Sequence, residues 1–289
     1  MITDQGKDLI LRYLAGVAPS FAGDIAVGTG FATPLSTETS LDFEIGRFEV
    51  SSGAIEGATR RAVFQSTVEG NSEFVLGEIA LYPNVSLLGI NSFKSSVSLL
   101  FSASEGYTLG NVNSTMVSKA TTGQESLIRV GTQGLKLQGS ASSAFTSNNK
   151  NYNYVSAQDK VNLALIVNNT TPTFDITLKV YDSVNPTTPM LIQLTQANSV
   201  VKYDVVGSNA YVTLKKEIGT QTVDFSKITK FEFVNNGSQT VILDGFKFEE
   251  IDSVSPFNAM IVKQKLSSLT TKLSGVPVDI EIQLGIDFV

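Results

Sequence analysis

Apolar residues alternate with polar ones in short runs along most of this chain, and that period confines it to β structure. Phe174, Ile176, Leu178 and Val180 are separated by single polar residues, and Ile280, Ile282, Leu284 and Ile286 repeat the pattern near the end. Successive side chains of a strand point to opposite faces, so a period of two gives one buried face and one wet face. Val161 to Val167 is an apolar run, while Ile192 and Leu194, Tyr203 and Val205, and Tyr211 and Leu214 are shorter pieces of the same kind. Lys230–Val234 and Thr240–Phe248 flank Asn235-Asn236-Gly237-Ser238. An Asn-Gly pair between alternating segments predicts a tight hairpin. Many short strands at near-regular spacing predict a sandwich or barrel.

The first ninety residues read differently. Thr3 or Asp4 can cap a helix, Asp8 favours its N-terminal end, and Gly16 and Pro19 stop it. Ile10, Leu14 and Val17, with Leu11 beside them, recur at helical spacing and predict a core-facing stripe on a helix over Asp4 to Ala15. Strands are expected at Phe21–Val27, at Ile45–Ser51 and Arg61–Val68 around a turn Gly53–Gly57, and at Phe74–Tyr82, closed by Pro83-Asn84. After Asp252 two more are expected, Phe257–Leu269 and Val278–Phe288, around Gly275-Val276-Pro277. Residues 1–93 hold five of the 21 basic and eleven of the 27 acidic side chains, so the whole net charge of −6 sits there. That asymmetry predicts two regions with different surfaces, the acidic one being either ordinary solvated loops or a face that docks a basic partner.

Composition removes several chemistries. The chain has no Cys, His or Trp among 289 residues. Disulfides, thiolate nucleophiles, Cys-ligated metals, Ser-His-Asp triads and HExxH zinc sites are therefore excluded. A modest acidic charge argues against duplex nucleic acid, which needs clustered Lys and Arg. A mean hydropathy of +0.11 argues for buried structure, yet no run reaches the length of a membrane helix. The opening residues lack a secretory leader pattern, so folding in a cytosol is expected.

Three constellations remain. Gly28-Thr29-Gly30 lacks the third glycine and the following helix of a dinucleotide site, and reads as a tight turn. Glu249-Glu250, with Asp244 and Asp252, is the densest carboxylate group, but neighbours on a strand face apart, so a solvated strand end is expected rather than a metal site. Tyr152 and Tyr154, interleaved with Asn151 and Asn153, would put two rings on one face with amides close by. Such a set suits a half-buried strand, or contact with a glycan or receptor. No carboxylate pair stands out for glycoside hydrolysis.

The segments Ile2-Thr3, Gly6, Ile10, Tyr13-Leu14, Gly16, Pro19, Ala22, Ile25-Ala26-Val27-Gly28 and Gly30 form an ordered pattern. It continues in Leu41, Phe43-Glu44, Arg47, Val50 and Gly77-Glu78-Ile79-Ala80-Leu81-Tyr82-Pro83-Asn84. This text resembles virion structural proteins of large contractile-tailed phages, notably marine and cyanobacterial ones. Asp244–Glu250 resembles the end of that family's β-sandwich insert, and Gln283-Leu284-Gly285-Ile286 its closing strand. Ser255-Pro256-Phe257 departs from the family's Asn-Pro. The resemblance implies a non-enzymatic tail, baseplate or fibre-region protein with no cofactor and no catalytic residues. Its partners would be other virion subunits, and it would be assembled in the host cytoplasm.

The expected fold is mainly β. A discontinuous α+β platform, 1–93 with 254–289, carries one helix. An antiparallel β-sandwich of jelly-roll or galactose-binding-like kind, 94–253, is inserted into it. Exposed edges would make it a homo-oligomer such as a trimer. The competing expectation is a glycan-binding adhesin, or a capsid decoration or head-fibre protein, that meets a host surface glycan.

Overall fold

The computed structural model describes residues 1–16, 22–71, 73–83, 97–100, 107–109, 114–139, 143–147, 160–249 and 260–285. The chain divides into two compact units, Met1–Ser92 with Asp252–Val289, and Phe93–Ile251. It is mainly β, with antiparallel sheets and one N-terminal helix.

In the first unit, helix α1 (Asp4–Leu14) starts at Thr3, whose side chain accepts a hydrogen bond from the Gly6 amide. The strands are β1 (Asp24–Gly28), β2 (Glu44–Glu49), β3 (Ser52–Glu56), β4 (Arg61–Val68) and β5 (Phe74–Tyr82), then β18 (Val262–Lys272) and β19 (Val278–Gly285). They form two sheets, ordered β18-β5-β1-β2 and β19-β4-β3. Ile25, Val27, Ile79 and Leu81 of the first share a core with Val68, Ile280, Ile282 and Leu284 of the second. The platform is thus two sheets face to face with a helix added, rather than one helix on one sheet.

The helix buries the expected stripe only in part: Ile10 packs half-buried against the core, but Leu11 and Leu14 do not. Gly6 and Leu9 are its buried residues, while Leu11 and Leu14 are 65% and 74% exposed. The reason is Gly6: a Cβ there would lie 2.3 Å from the Ile261 carbonyl oxygen, so the helix docks by its backbone and rotates Leu9 inward. Val17 lies outside the described residues. A second correction concerns residues 53–56, expected as part of the turn Gly53–Gly57. They belong to strand β3, and the β3–β4 turn lies at 57–60.

The second unit has two sheets. One, ordered β13-β12-β16-β10-β7, contains β7 (Tyr107–Leu109), β10 (Ser143–Ser147), β12 (Asp175–Asp182), β13 (Met190–Thr195) and β16 (Ile228–Asn235). The other runs β14-β15-β11-β17-β9-β8, with β6 also paired to β17. Its strands are β6 (Val97–Leu100), β8 (Ser114–Ser118), β9 (Gln133–Leu137), β11 (Lys160–Val167), β14 (Val200–Val206), β15 (Asn209–Glu217) and β17 (Val241–Glu249). One apolar cluster joins the inner faces of both sheets. Phe231 and Phe233 of β16 meet Phe246 of β17 edge-on, with centroids 5.4 and 5.1 Å apart, so two Phe-x-Phe alternations clasp the sheets.

The Asn236-Gly237 turn is not a hairpin. β16 pairs with β12 and β10, and β17 with β11, β9 and β6, so the turn carries the chain from one sheet to the other. Tertiary bonds impose this. The Asn236 and Gly237 amides donate to the Asp175 carbonyl, and the buried Asn235 amide nitrogen donates to the carbonyls of Gln138 and Gln239.

Candidate functional site

Five residues of the ordered N-terminal pattern, Gly28, Gly30, Phe43, Gly77 and Glu78, meet in one buried polar cluster. Glu78, on the central strand β5, is buried, and its Oε1 accepts from the amides of Phe43 (2.9 Å) and Gly30 (3.2 Å). Its Oε2 accepts from the Asp42 amide at 3.0 Å. The Lys263 ammonium, carried by β18, lies 2.7 Å from Asp42 Oδ1, 2.8 Å from Glu38 Oε2 and 3.1 Å from Glu78 Oε2. Burial alone would lower the Lys263 pKa; Glu78, Asp42 and Glu38 outweigh it and hold the pKa above the ordinary lysine value.

The Gly-x-Gly has its reason here. A Cβ on Gly28 would stand 2.6 Å from Glu78 Oε1 and from the Phe43 carbonyl oxygen, and one on Gly30 would stand 2.6 Å from Glu78 Oε1. A Cβ on Gly77 would lie 2.3 Å from the Gly30 carbonyl oxygen. The segment cradles an internal carboxylate where a nucleotide fold cradles a phosphate. Nearby, the Arg47 guanidinium lies over the Tyr82 ring at 3.6 Å and pairs with Glu44 at 2.8 Å. The cluster holds the unit together.

A second buried cluster explains Asp244. It is the extra residue of a bulge, since Ala164 pairs with Gly245 while Leu165 pairs with Leu243. A bulge re-aims a side chain. The Asp244 carboxylate accepts from the amides of Arg129 (3.0 Å) and Val130 (3.1 Å) and from the Tyr211 hydroxyl (2.5 Å). Burial, opposed by those bonds, pushes its pKa up to about 6. The Arg129 guanidinium stacks 4.0 Å over the Tyr211 ring and pairs with Asp204. Asp244 is therefore a structural anchor. Of its expected companions, the Glu249 side chain, Glu250 and Asp252 lie outside what is described. Among the described residues no group of three or more acidic side chains is placed to hold a metal. Tyr152, Tyr154, Asn151 and Asn153 also lie outside the described residues.

One accessible surface stands apart. β13 and β14 each form one edge of a sheet, and they are joined by residues 196–199. Five of the six large apolar side chains exposed in the second unit, among the described residues, are on these strands: Leu191, Val200, Tyr203, Val205 and Val206. Tyr203 sits opposite Val212, on the inner face of the sandwich, yet is 39% exposed because nothing described lies beyond β14. Burial raises its phenol pKa, against a hydrogen bond with Gln196 that lowers it. A cleft of about 170 Å³ opens beside this edge, with Gln193, Asn198, Lys216, Glu217 and Thr220 as its polar lining and Ile192 and Ile218 among its apolar walls. Lys216 continues the inward row Ala210, Val212, Leu214 past the end of the core. The sequence offered Tyr203 only as one of several short alternating pieces, since edge position is not written in local pattern.

Comparison with protein-family models and with curated proteins gives no match. Solved structures with partial similarity include carbohydrate-binding modules. Clostridium thermocellum xylanase 10B, as its CBM22-1–GH10 modules with xylohexaose, shares 15% identity over 52% of this chain and 27% of that one, with a TM-score of 0.30. This chain therefore spans about a quarter of that protein's length. The xylan-binding CBM22-1 domain of Paenibacillus barcinonensis Xyn10C shares 14% over 55% of this chain and 95% of that one, TM-score 0.30. The family 11 module of Clostridium thermocellum, with a mixed-linked tetrasaccharide, shares 12% over 63% and 97%, TM-score 0.30. Superpositions this partial assign no ligand; the architecture stands on the strand pairing above.

Proposed function

We propose that this is a non-enzymatic binding protein whose sandwich contacts a glycan along its open side. The observation that carries this is the gathering of exposed apolar side chains on β13 and β14, Tyr203 among them, together with a cleft of amide, ammonium, carboxylate and hydroxyl groups that Leu191 and Gln193 of β13 help to line. An aromatic face stacks on a sugar's C–H face, and short polar side chains meet its hydroxyls. The cleft is small beside the ~300–1,000 Å³ of enclosed ligand pockets, which suits a surface groove that touches one or two sugar units. The test is a glycan array on the full chain, followed by calorimetry. A binding glycan should raise the melting temperature. Tyr203→Ala and Gln193→Ala should each weaken binding about tenfold, the equivalent of ~1.4 kcal/mol, and the exposed Gln193→Ala should do so without lowering the melting temperature of the free protein. Failure of every glycan on the array to bind would remove this reading.

A second reading concerns the first unit: an attachment platform that docks this protein to other subunits of a virion, in its tail, baseplate or fibre region, or as a capsid decoration. What supports it is that the residues behind the sequence resemblance, among them Gly28, Gly30, Phe43, Gly77 and Glu78, build one physical device. Immunogold labelling of phage particles tests it. Label at the tail tip or baseplate would support the tail role, label over the capsid would support decoration, and no label would remove the virion reading.

A further inference from the structure

The sheet β19-β4-β3 ends in β3, and among the described residues no strand pairs with its outer edge. Every residue of Ser52–Glu56 is exposed. An open edge is a row of unpaired N–H and C=O groups, which proteins usually blunt with Lys, Pro or a bulge. β3 has none of these: it reads Ser-Gly-Ala-Ile-Glu and pairs with β4 without irregularity. It presents Ile55 at 82% exposure. Gly53 sits opposite Phe64, and a Cβ there would touch the Phe64 ring at 3.8 Å, so the glycine leaves a notch over a half-buried aromatic.

We propose that two copies of this chain pair antiparallel through β3, about a two-fold axis at Ala54. In that register Ser52 faces Glu56 of the second copy, and Gly53 faces Ile55 of the second copy. Directly opposed residues of an antiparallel pair share a face. Each Ile55 therefore enters the notch that Gly53 leaves and covers Phe64, and the contact is made twice by symmetry, as an isologous interface requires.

Sedimentation of the full chain over a range of concentrations tests the proposal. A monomer–dimer equilibrium is expected. Ile55→Lys should move its midpoint at least about tenfold higher in concentration while leaving the melting temperature of the monomer unchanged, because Ile55 makes no core contact to lose. Gly53→Val, which fills the notch over Phe64, should weaken the dimer in the same way. A chain that stays monomeric at all concentrations overturns the proposal, as does a trimer. A dimer indifferent to Ile55→Lys and to Gly53→Val overturns it equally.

Discussion

Gly30 and Gly77 are required by what stands against them, and the cost of filling their space is calculable in direction. A methyl at either position meets a buried carboxylate or a backbone carbonyl within 2.6 Å, neither of which can swing aside. Gly30→Ala should destabilise the first unit by about 2–4 kcal/mol in denaturant titration, the range of overpacked and broken polar cores. Lys263→Met should cost about 3–5 kcal/mol, because three carboxylates then remain buried without their cation. Asp244 supplies a pH signature in the other unit. Its folded pKa, about 6, stands above the ordinary 3.8, so the folded state holds its proton more tightly than the unfolded state does. The associated stability is fully present below about pH 4 and is lost as pH rises through 6. The total is about 3 kcal/mol, from ~1.4 kcal/mol per pH unit over that interval. Melting curves between pH 4 and 7 should show this fall in wild type and lack it in Asp244→Asn. Equal slopes in both would reject Asp244 as its source.

At the scale of elements, α1 and the 235–238 turn show how tertiary contacts overrule local pattern. Helical spacing in the sequence singles out Ile10 and Leu14 with Leu11; Ile10 does pack against the core, but Leu9 takes the fully buried place and Leu14 is left in solvent because Gly6 lets two backbones touch. Leu9→Ala should therefore cost about 2–3 kcal/mol as a core truncation, while Leu11→Ser and Leu14→Ser should change stability by less than ~0.5 kcal/mol. A comparable loss from Leu11→Ser would mean that the helix is rotated from this orientation. The Asn236-Gly237 pair has hairpin chemistry but not a hairpin's neighbours. Three residues of that turn are bonded to Asp175 or to the carbonyls of 138 and 239, and those partners lie 61 residues or more away or across a loop. A local signal cannot report them.

The two units make separate cores, and the first unit's segments on either side of the second are hydrogen-bonded to each other. The Ile261 amide donates to the Leu81 carbonyl at 2.8 Å, and Val262 pairs with Leu81, so the chain leaves the first unit and rejoins it at hydrogen-bonding distance. Replacing 93–251 by a short flexible linker should leave a cooperatively folding first unit, since closing a loop of that length adds little entropy cost. A chain that is unfolded by circular dichroism after this excision, although its buried Lys263–Glu78 cluster is intact in sequence, would show that the units stabilise one another.

Period-two alternation determined the strands and the fold class, because a strand's two faces are written residue by residue in the chain. The run from Phe174 to Val180 and that from Ile280 to Leu284 bury their apolar rows as the alternation requires. The absence of Cys and His likewise settled which chemistries cannot occur. Tertiary structure alone decided which strands became edges, and so placed Tyr203 and Ile55 in the open. It alone brought Glu38, Asp42 and Glu78 around Lys263, more than 180 residues away in sequence. It also turned a hairpin signature into a crossover. The physical reason is common to all three: each depends on a partner supplied from a distant part of the chain, which no local period encodes.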